Sequence, residues 1–157
     1  MRYRILGSTG LRVSAVGLGT WQFGGEWGHT FSQAEADAIL DQAAASGINL
    51  LDTAECYGDH LSERLIGDYL SRHDRSRWVV ATKFGHGFTG FLGRAEDFSA
   101  TGVRWQLEAS LRALRVERID SEPACCVMRS RSSGFRSTKP HASLNAMRAW
   151  SLVVAAE

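Results

Sequence analysis

Cysteine, net charge and long apolar runs are all scarce in this chain. Of three cysteines, Cys56 stands apart while Cys125 and Cys126 are adjacent. That spacing supports neither a disulfide framework nor a structural zinc site, so no metal is expected. A formal net charge of +1 removes the reason to expect nucleic acid, an anionic membrane surface or a strongly charged partner. No apolar stretch has signal-peptide or membrane-spanning length, so the default expectation is a cytoplasmic protein with no membrane partner. Proline is nearly missing too, and both copies, Pro123 and Pro140, fall in the last part of the chain. With 44% apolar and 22% charged residues over 157 positions, the composition is that of one soluble globular domain with a real core.

Tyr3 to Leu6 and Leu11 to Ala15 read as two short strands around a glycine-bounded turn, a hairpin acting as a lid or plug rather than as core. Val16 to Trp21 follows as an apolar strand, and then a loop carrying Gly24, Gly25, Trp27 and His29. Ser32, with Glu35 three residues later, makes a capping-box start for a helix over Gln33–Ser46, whose Ala36, Ile39, Leu40 and Ala43 recur at helical spacing before Gly47 closes it. Ile48 to Leu51 is a short apolar run ending on Asp52, the pattern of a buried parallel strand. A second helix is predicted over Ser62–Ser71, with Leu65, Ile66, Tyr69 and Leu70 inward. Trp78–Lys83 is another buried strand, Phe84–Asp97 a glycine- and aromatic-rich loop, and Ala100–Leu114 a third helix presenting Val103, Leu107, Leu111 and Leu114. Strands alternating with helices imply parallel pairing, hence an α/β fold that is either a βα barrel or a doubly wound sheet.

Asp52, Tyr57 and Lys83 carry the chemistry. A tyrosine beside a lysine can act as a general acid, because the positive charge favours the phenolate and pulls the phenol pKa downward. Asp52 can hold that lysine in place. Asp52 and Lys83 each end an apolar run, and a charge there is costly if buried alone, so mutual pairing is the economical arrangement. The C-terminal ends of parallel strands are also where βα barrels build active sites. The Gly17-Leu-Gly19 segment lacks the third glycine and the following helix of a dinucleotide loop. His29, His60, His73 and His86 read as surface residues, and Cys56 as a small packed side chain with no histidine base beside it. Trp21, Phe23 and Trp27 can form a local aromatic cluster.

Leu6-Gly-Ser-Thr-Gly-Leu-Arg-Val-Ser14, Gly17-Leu-Gly-Thr-Trp21, Asp52-Thr-Ala-Glu-Cys-Tyr-Gly58, Ser62-Glu-Arg-Leu-Ile-Gly67 and Ala81-Thr-Lys83, in this order, closely resemble the N-terminal part of the aldo-keto reductase family. The resemblance covers residues 1–120 and implies an incomplete (β/α)8 TIM barrel, with an N-terminal β-hairpin and three βα units followed by a tail that does not match. It implies Tyr57 as proton donor to a small-molecule carbonyl substrate, Lys83 as the group that tunes it, Asp52 as the lysine's partner, and NADP(H) as hydride source. Thr20, Trp21 and Asp52 match positions near the cofactor ribose and nicotinamide. As the alternative to an aromatic cluster, the resemblance implies a substrate pocket lined by Trp21, Phe23 and Trp27.

The family's remaining catalytic histidine would fall just after Asp120, where the sequence reads Ser121-Glu-Pro-Ala-Cys-Cys-Val-Met128, with no histidine before His141. Residues 121–157 read as a divergent or frameshifted tail, weakly ordered, rich in arginine, serine and alanine. The resulting expectation is a truncated aldo-keto reductase, an oxidoreductase of aldehydes and ketones with little activity of its own. The alternatives are a non-catalytic partial barrel that self-associates through unclosed edges, or a product that does not fold.

Overall fold

A computed structural model of the chain describes residues 1–90 and 93–120. The expectations for the tail, including His141 and the cysteine pair, lie outside the described residues. The chain opens with an antiparallel hairpin, β1 (Tyr3–Ile5) and β2 (Arg12–Ser14), in the register Tyr3 to Ser14. A three-stranded parallel sheet follows in the order β3 (Leu18–Gly19), β4 (Leu50–Asp52) and β5 (Val79–Ala81). Helices α1 (Gln33–Ala45), α2 (Leu61–Leu70) and α3 (Ala100–Leu114) fall after successive strands.

Period-two alternation sorts the strand residues onto two faces. Leu51 and Val80 join the main core with Leu40, Ile66, Tyr69, Trp78 and Leu114, between sheet and helices. Leu50 and Val79 pack with Leu6 and Val13 instead, so the hairpin plugs the opposite face at the strands' N-terminal ends, as its sequence suggests. Asp52 shares the parity of Leu50, and Lys83 that of Val79 and Ala81. Both charges are thereby delivered to one face at the C-terminal ends of adjacent strands.

The capping box predicted for α1 is formed: the Ser32 side chain accepts from Glu35 N and the Glu35 carboxylate accepts from Ser32 N. Such a cap is worth about 1 kcal/mol. Two expectations are corrected. Phe84–Asp97 is not all loop, because β6 (His86–Gly90) and β7 (Gly93–Glu96) pair antiparallel from His86–Glu96 to Gly90–Gly93 with an irregularity between Phe88 and Gly90. Glycine there weakens intrinsic strand preference, and the partner strand supplies the ladder that the local sequence does not advertise. The buried row of α3 is Gly102, Gln106, Ser110 and Leu114, one residue round from the apolar stripe, leaving Val103, Leu107 and Leu111 only half-buried. Close approach decides this. A Cβ on Gly67 of α2 would collide with the backbone of Ala113 and Leu114, so α3 turns its small and polar residues toward the contact. Asp120, where a further strand was expected, donates its N–H to Val80 O and accepts Val80 N–H at 2.9 Å, bringing the chain alongside β5.

Candidate active site

Lys83 is the hub. Its ammonium has three protons to donate, and three acceptors receive them: Asp52 Oδ1 at 2.6 Å, the Thr53 carbonyl at 2.9 Å and Tyr57 Oη at 3.0 Å. Because Tyr57 Oη accepts from Lys83, its own hydroxyl proton is left to go to another acceptor. All three side chains are largely buried, and burial governs their ionisation. For Tyr57 burial raises the phenol pKa, Lys83 pulls it back, and the net value stands above the ordinary 10.0. This corrects the expectation of a net depression: the lysine acts in the predicted direction, but desolvation outweighs it. Tyr57 is therefore fully protonated near neutral pH, the state a proton donor requires. Burial tends to lower Lys83, but Asp52 and Tyr57 together lift it above its usual value, so it stays cationic. Burial lifts Asp52 above the ordinary carboxyl value against the opposing pull of Lys83.

The backbone aims Tyr57. Gly58, Asp59 and His60 have φ of 64°, 50° and 64°, a left-handed run that turns the chain abruptly into α2. At its start Gly58 lies against Gly24 of the 3₁₀ turn Trp21–Gly24 so closely that a Cβ on either glycine would strike the other segment's backbone. This contact brings Trp21 into a stacked arrangement with Tyr57, ring centroids 6.0 Å apart. Trp21 is 43% exposed and Trp27 59%, the two meeting edge-on at 4.8 Å. Phe23 separates from this pair, being buried in the main core against Phe31.

A hydroxyl network beneath the site is absent from the sequence reading. Thr20 Oγ1 donates to the Asp52 carbonyl at 3.0 Å, while Ser62 Oγ lies 2.9 Å from the Thr20 carbonyl, Thr20 Oγ1 and Thr53 Oγ1. Thr20 is thus buried with its hydroxyl engaged, and it reaches the site through Asp52's backbone. One serine on the first turn of α2 joins the ends of β3 and β4. Ser62→Ala is expected to cost about 1–3 kcal/mol in chemical denaturation, because the buried threonine groups lose a partner and water cannot replace it. Glu63 is likewise fully buried, accepting from Thr82 Oγ1 at 2.5 Å and contacting His60 Nδ1. The signal for Glu63 was available: it lies three and seven residues before Ile66 and Leu70, a carboxylate on an apolar stripe.

The histidines divide. His29 is exposed, but the side chains of His60 and His86 are only 15% and 14% exposed, which corrects the surface reading of both. Each sits against a buried glutamate supplied by a neighbouring element. Glu55, 3% exposed, accepts from His86 N at 3.0 Å, and burial, assisted by repulsion from Cys56, pushes its carboxyl up to about 8.

The model of the Aldo/keto reductase family matches residues 15–121. The chain belongs to the aldo/keto reductase family. It is 40% identical over 119 residues to the L-galactose dehydrogenase of Arabidopsis thaliana, covering 74% of this chain and 35% of that protein. A Pseudomonas aeruginosa structure assigned as an aldo-keto reductase superposes with a TM-score of 0.70 at 40% identity, covering 78% of this chain and 46% of the other. An aldo-keto reductase from Klebsiella pneumoniae, solved in complex with NADPH, is 27% identical with a TM-score of 0.55 over 71% of this chain and 34% of its own. The chain spans about a third of the length of the curated relatives it matches. The expected α/β class and partial barrel are therefore present: parallel βα units of an aldo-keto reductase, which do not close into a barrel among the described residues. No helix among the described residues is long and apolar enough to cross a membrane.

Proposed function

We propose that this segment supplies the proton-donating half of a carbonyl reductase that uses NADP(H) to reduce aldehydes and ketones to alcohols. The observation that carries the reading is the saturated Lys83 ammonium: it fixes Tyr57 Oη at 3.0 Å while leaving the phenol proton available. A carbonyl oxygen placed against Tyr57 accepts that proton as negative charge grows on it. Lys83 stabilises the phenolate left behind, and Asp52 keeps Lys83 charged and oriented. The residues present suit the nicotinamide end of such a cofactor, with an exposed indole face at Trp21 beside a cation–phenol pair. Trp21 and Asp52 would flank it, and Thr20 would act through Asp52. When bound, NADP(H) supplies the hydride. The relative solved with NADPH supports that choice of cofactor.

The 157 residues by themselves are expected to turn over slowly, since positioned proton transfer contributes only about 10²–10⁴-fold of a reductase's rate. The test is NADPH-dependent reduction of a reactive aromatic aldehyde with enzyme in excess, comparing wild type with Tyr57→Phe. A slow rate that falls by about 10²–10⁴-fold in the variant is expected. A rate indifferent to Tyr57→Phe overturns the assignment of the acid. A complete absence of NADPH-dependent reduction, together with an oligomer in gel filtration, would favour the second reading, a non-catalytic partial barrel. The half-buried stripe of Val103, Leu107 and Leu111 and the apolar groove of Leu18, Ile39 and Ile48 give that reading its surface.

A further inference from the structure

We infer that Glu55, Cys56 and His86 form a site for one divalent cation of the zinc class, beside the proton donor and separate from the reductase triad. The carboxylate, thiol and imidazole ligand atoms all lie within 4.8 Å of one another. Bonds of about 2.0–2.3 Å to a tetrahedral zinc ion separate its ligands by about 3.3–3.8 Å, so a modest contraction closes the set. His86 Nδ1 stands 3.8 Å from Glu55 Oε1, too far for a hydrogen bond; that oxygen already accepts from the His86 N–H, and the carboxyl oxygen left free is Oε2.

Two buried polar atoms are otherwise unexplained. Glu55 Oε2 and His86 Nδ1 are both inaccessible and make no hydrogen bond. The Glu55 side chain is only 2% exposed, and its other oxygen is held by the His86 N–H at 3.0 Å. The carboxylate is thus oriented by one bond while an unsatisfied oxygen remains, a costly arrangement for a buried polar group unless something else completes it. A cation would be ligated by both orphaned atoms at once, the Glu55 carboxyl releasing its proton on binding. One sulfur, one nitrogen and one oxygen favour zinc or a neighbouring transition metal over calcium or magnesium, which take oxygen ligands. Three protein ligands leave a fourth position for water. The effect on the fold is a clamp: Cys56 directly precedes Tyr57 and His86 opens β6, so occupancy ties the Tyr57 turn to the hairpin after β5.

The full chain, stripped of metal and titrated with Co²⁺ as a spectroscopic probe, tests this. The expected result is one equivalent bound with a cysteinate-to-cobalt charge-transfer band in the near ultraviolet, displaced by Zn²⁺. The band should survive in a Cys125→Ser/Cys126→Ser variant and vanish in Cys56→Ser. His86→Gln or Glu55→Gln, each removing a ligand, should weaken binding by at least the roughly 10–100-fold that loss of a supporting partner costs. Loss of the band in the Cys125→Ser/Cys126→Ser protein, or its persistence at unchanged affinity in both His86→Gln and Glu55→Gln, overturns the site. Should the latter variants fail to fold, the spectrum of Cys125→Ser/Cys126→Ser decides, since absence of a thiolate band there removes Cys56 as a ligand. None of these readouts depends on reductase activity, so the cation site and the carbonyl-reductase reading stand or fall separately.

Discussion

Replacing Lys83 with methionine is expected to destabilise the protein by about 3–5 kcal/mol at neutral pH, the loss typical of breaking a buried charge pair from one side. Methionine fills the volume of the lysine stem, so packing changes little. What changes is Asp52, whose side chain is 11% exposed and loses the cation 2.6 Å away. The Thr53 carbonyl and Tyr57 hydroxyl lose their donor as well. The penalty should depend on pH with a definite sign. Burial already holds the Asp52 carboxyl above its ordinary 3.8, and removing Lys83 takes away what opposes burial, so the folded value climbs further. Across the window between 3.8 and that raised value, the folded variant keeps a proton that the unfolded chain has released. Stability of the variant therefore falls as pH rises through the window, and the deficit relative to wild type is smallest in acid. Urea unfolding of both proteins at mildly acidic and neutral pH measures this. The double variant Asp52→Asn/Lys83→Met should recover most of the loss, because no unpaired charge remains. A deficit below about 1 kcal/mol at neutral pH would place the pair among ordinary surface salt bridges and remove Lys83 as the hub.

Gly58→Ala is the second large effect. Two penalties add at this residue: a φ of 64°, which costs an L-residue about 1–2 kcal/mol, and a Cβ directed into the backbone of Gly24. Backbone cannot rotate away as a side chain can, so the 3₁₀ turn and the Tyr57 turn must separate. That adds about 1–3 kcal/mol by analogy with overpacked cores. Gly10 supplies the control. Its φ is 76°, yet a Cβ there would meet nothing within 4 Å, so Gly10→Ala carries the conformational penalty without the collision. The two variants should differ clearly in denaturation midpoint. Gly58→Ala should also lose activity beyond its loss of stability, since displacing a reacting group by about 1 Å can cost ~10²-fold in rate. Equal midpoints for the two variants would show that the contact with Gly24 yields easily and does not aim Tyr57.

Much of this was legible in the chain itself. Period-two alternation carried Asp52 and Lys83 to the same face, the capping box at Ser32 and Glu35 marked the start of α1, and the order of elements gave parallel βα units. These are local signals, set by propensity, capping and alternation over a few residues. The triad was readable because its members each interrupt an apolar run, and an isolated buried charge demands a partner.

Other features depended on residues distant in sequence meeting in space. The row that α3 buries was chosen by how closely Gly67 lets it approach, not by its own apolar stripe. The direction of the Tyr57 shift was a contest between burial and Lys83, and burial exists only once the chain is folded. The sequence marks Thr20 only as a position near the cofactor; that Ser62, 42 residues away, holds it from beneath is a property of the fold. Cys56 gave no metal spacing in sequence because its neighbour His86 arrives from the far side of β5. The sequence by itself determined which groups are chemically able to act, through residue type and period. Tertiary structure decided which of them are desolvated, which are satisfied and which are left with a lone pair facing another ligand, because those are properties of three-dimensional neighbours rather than of chain neighbours.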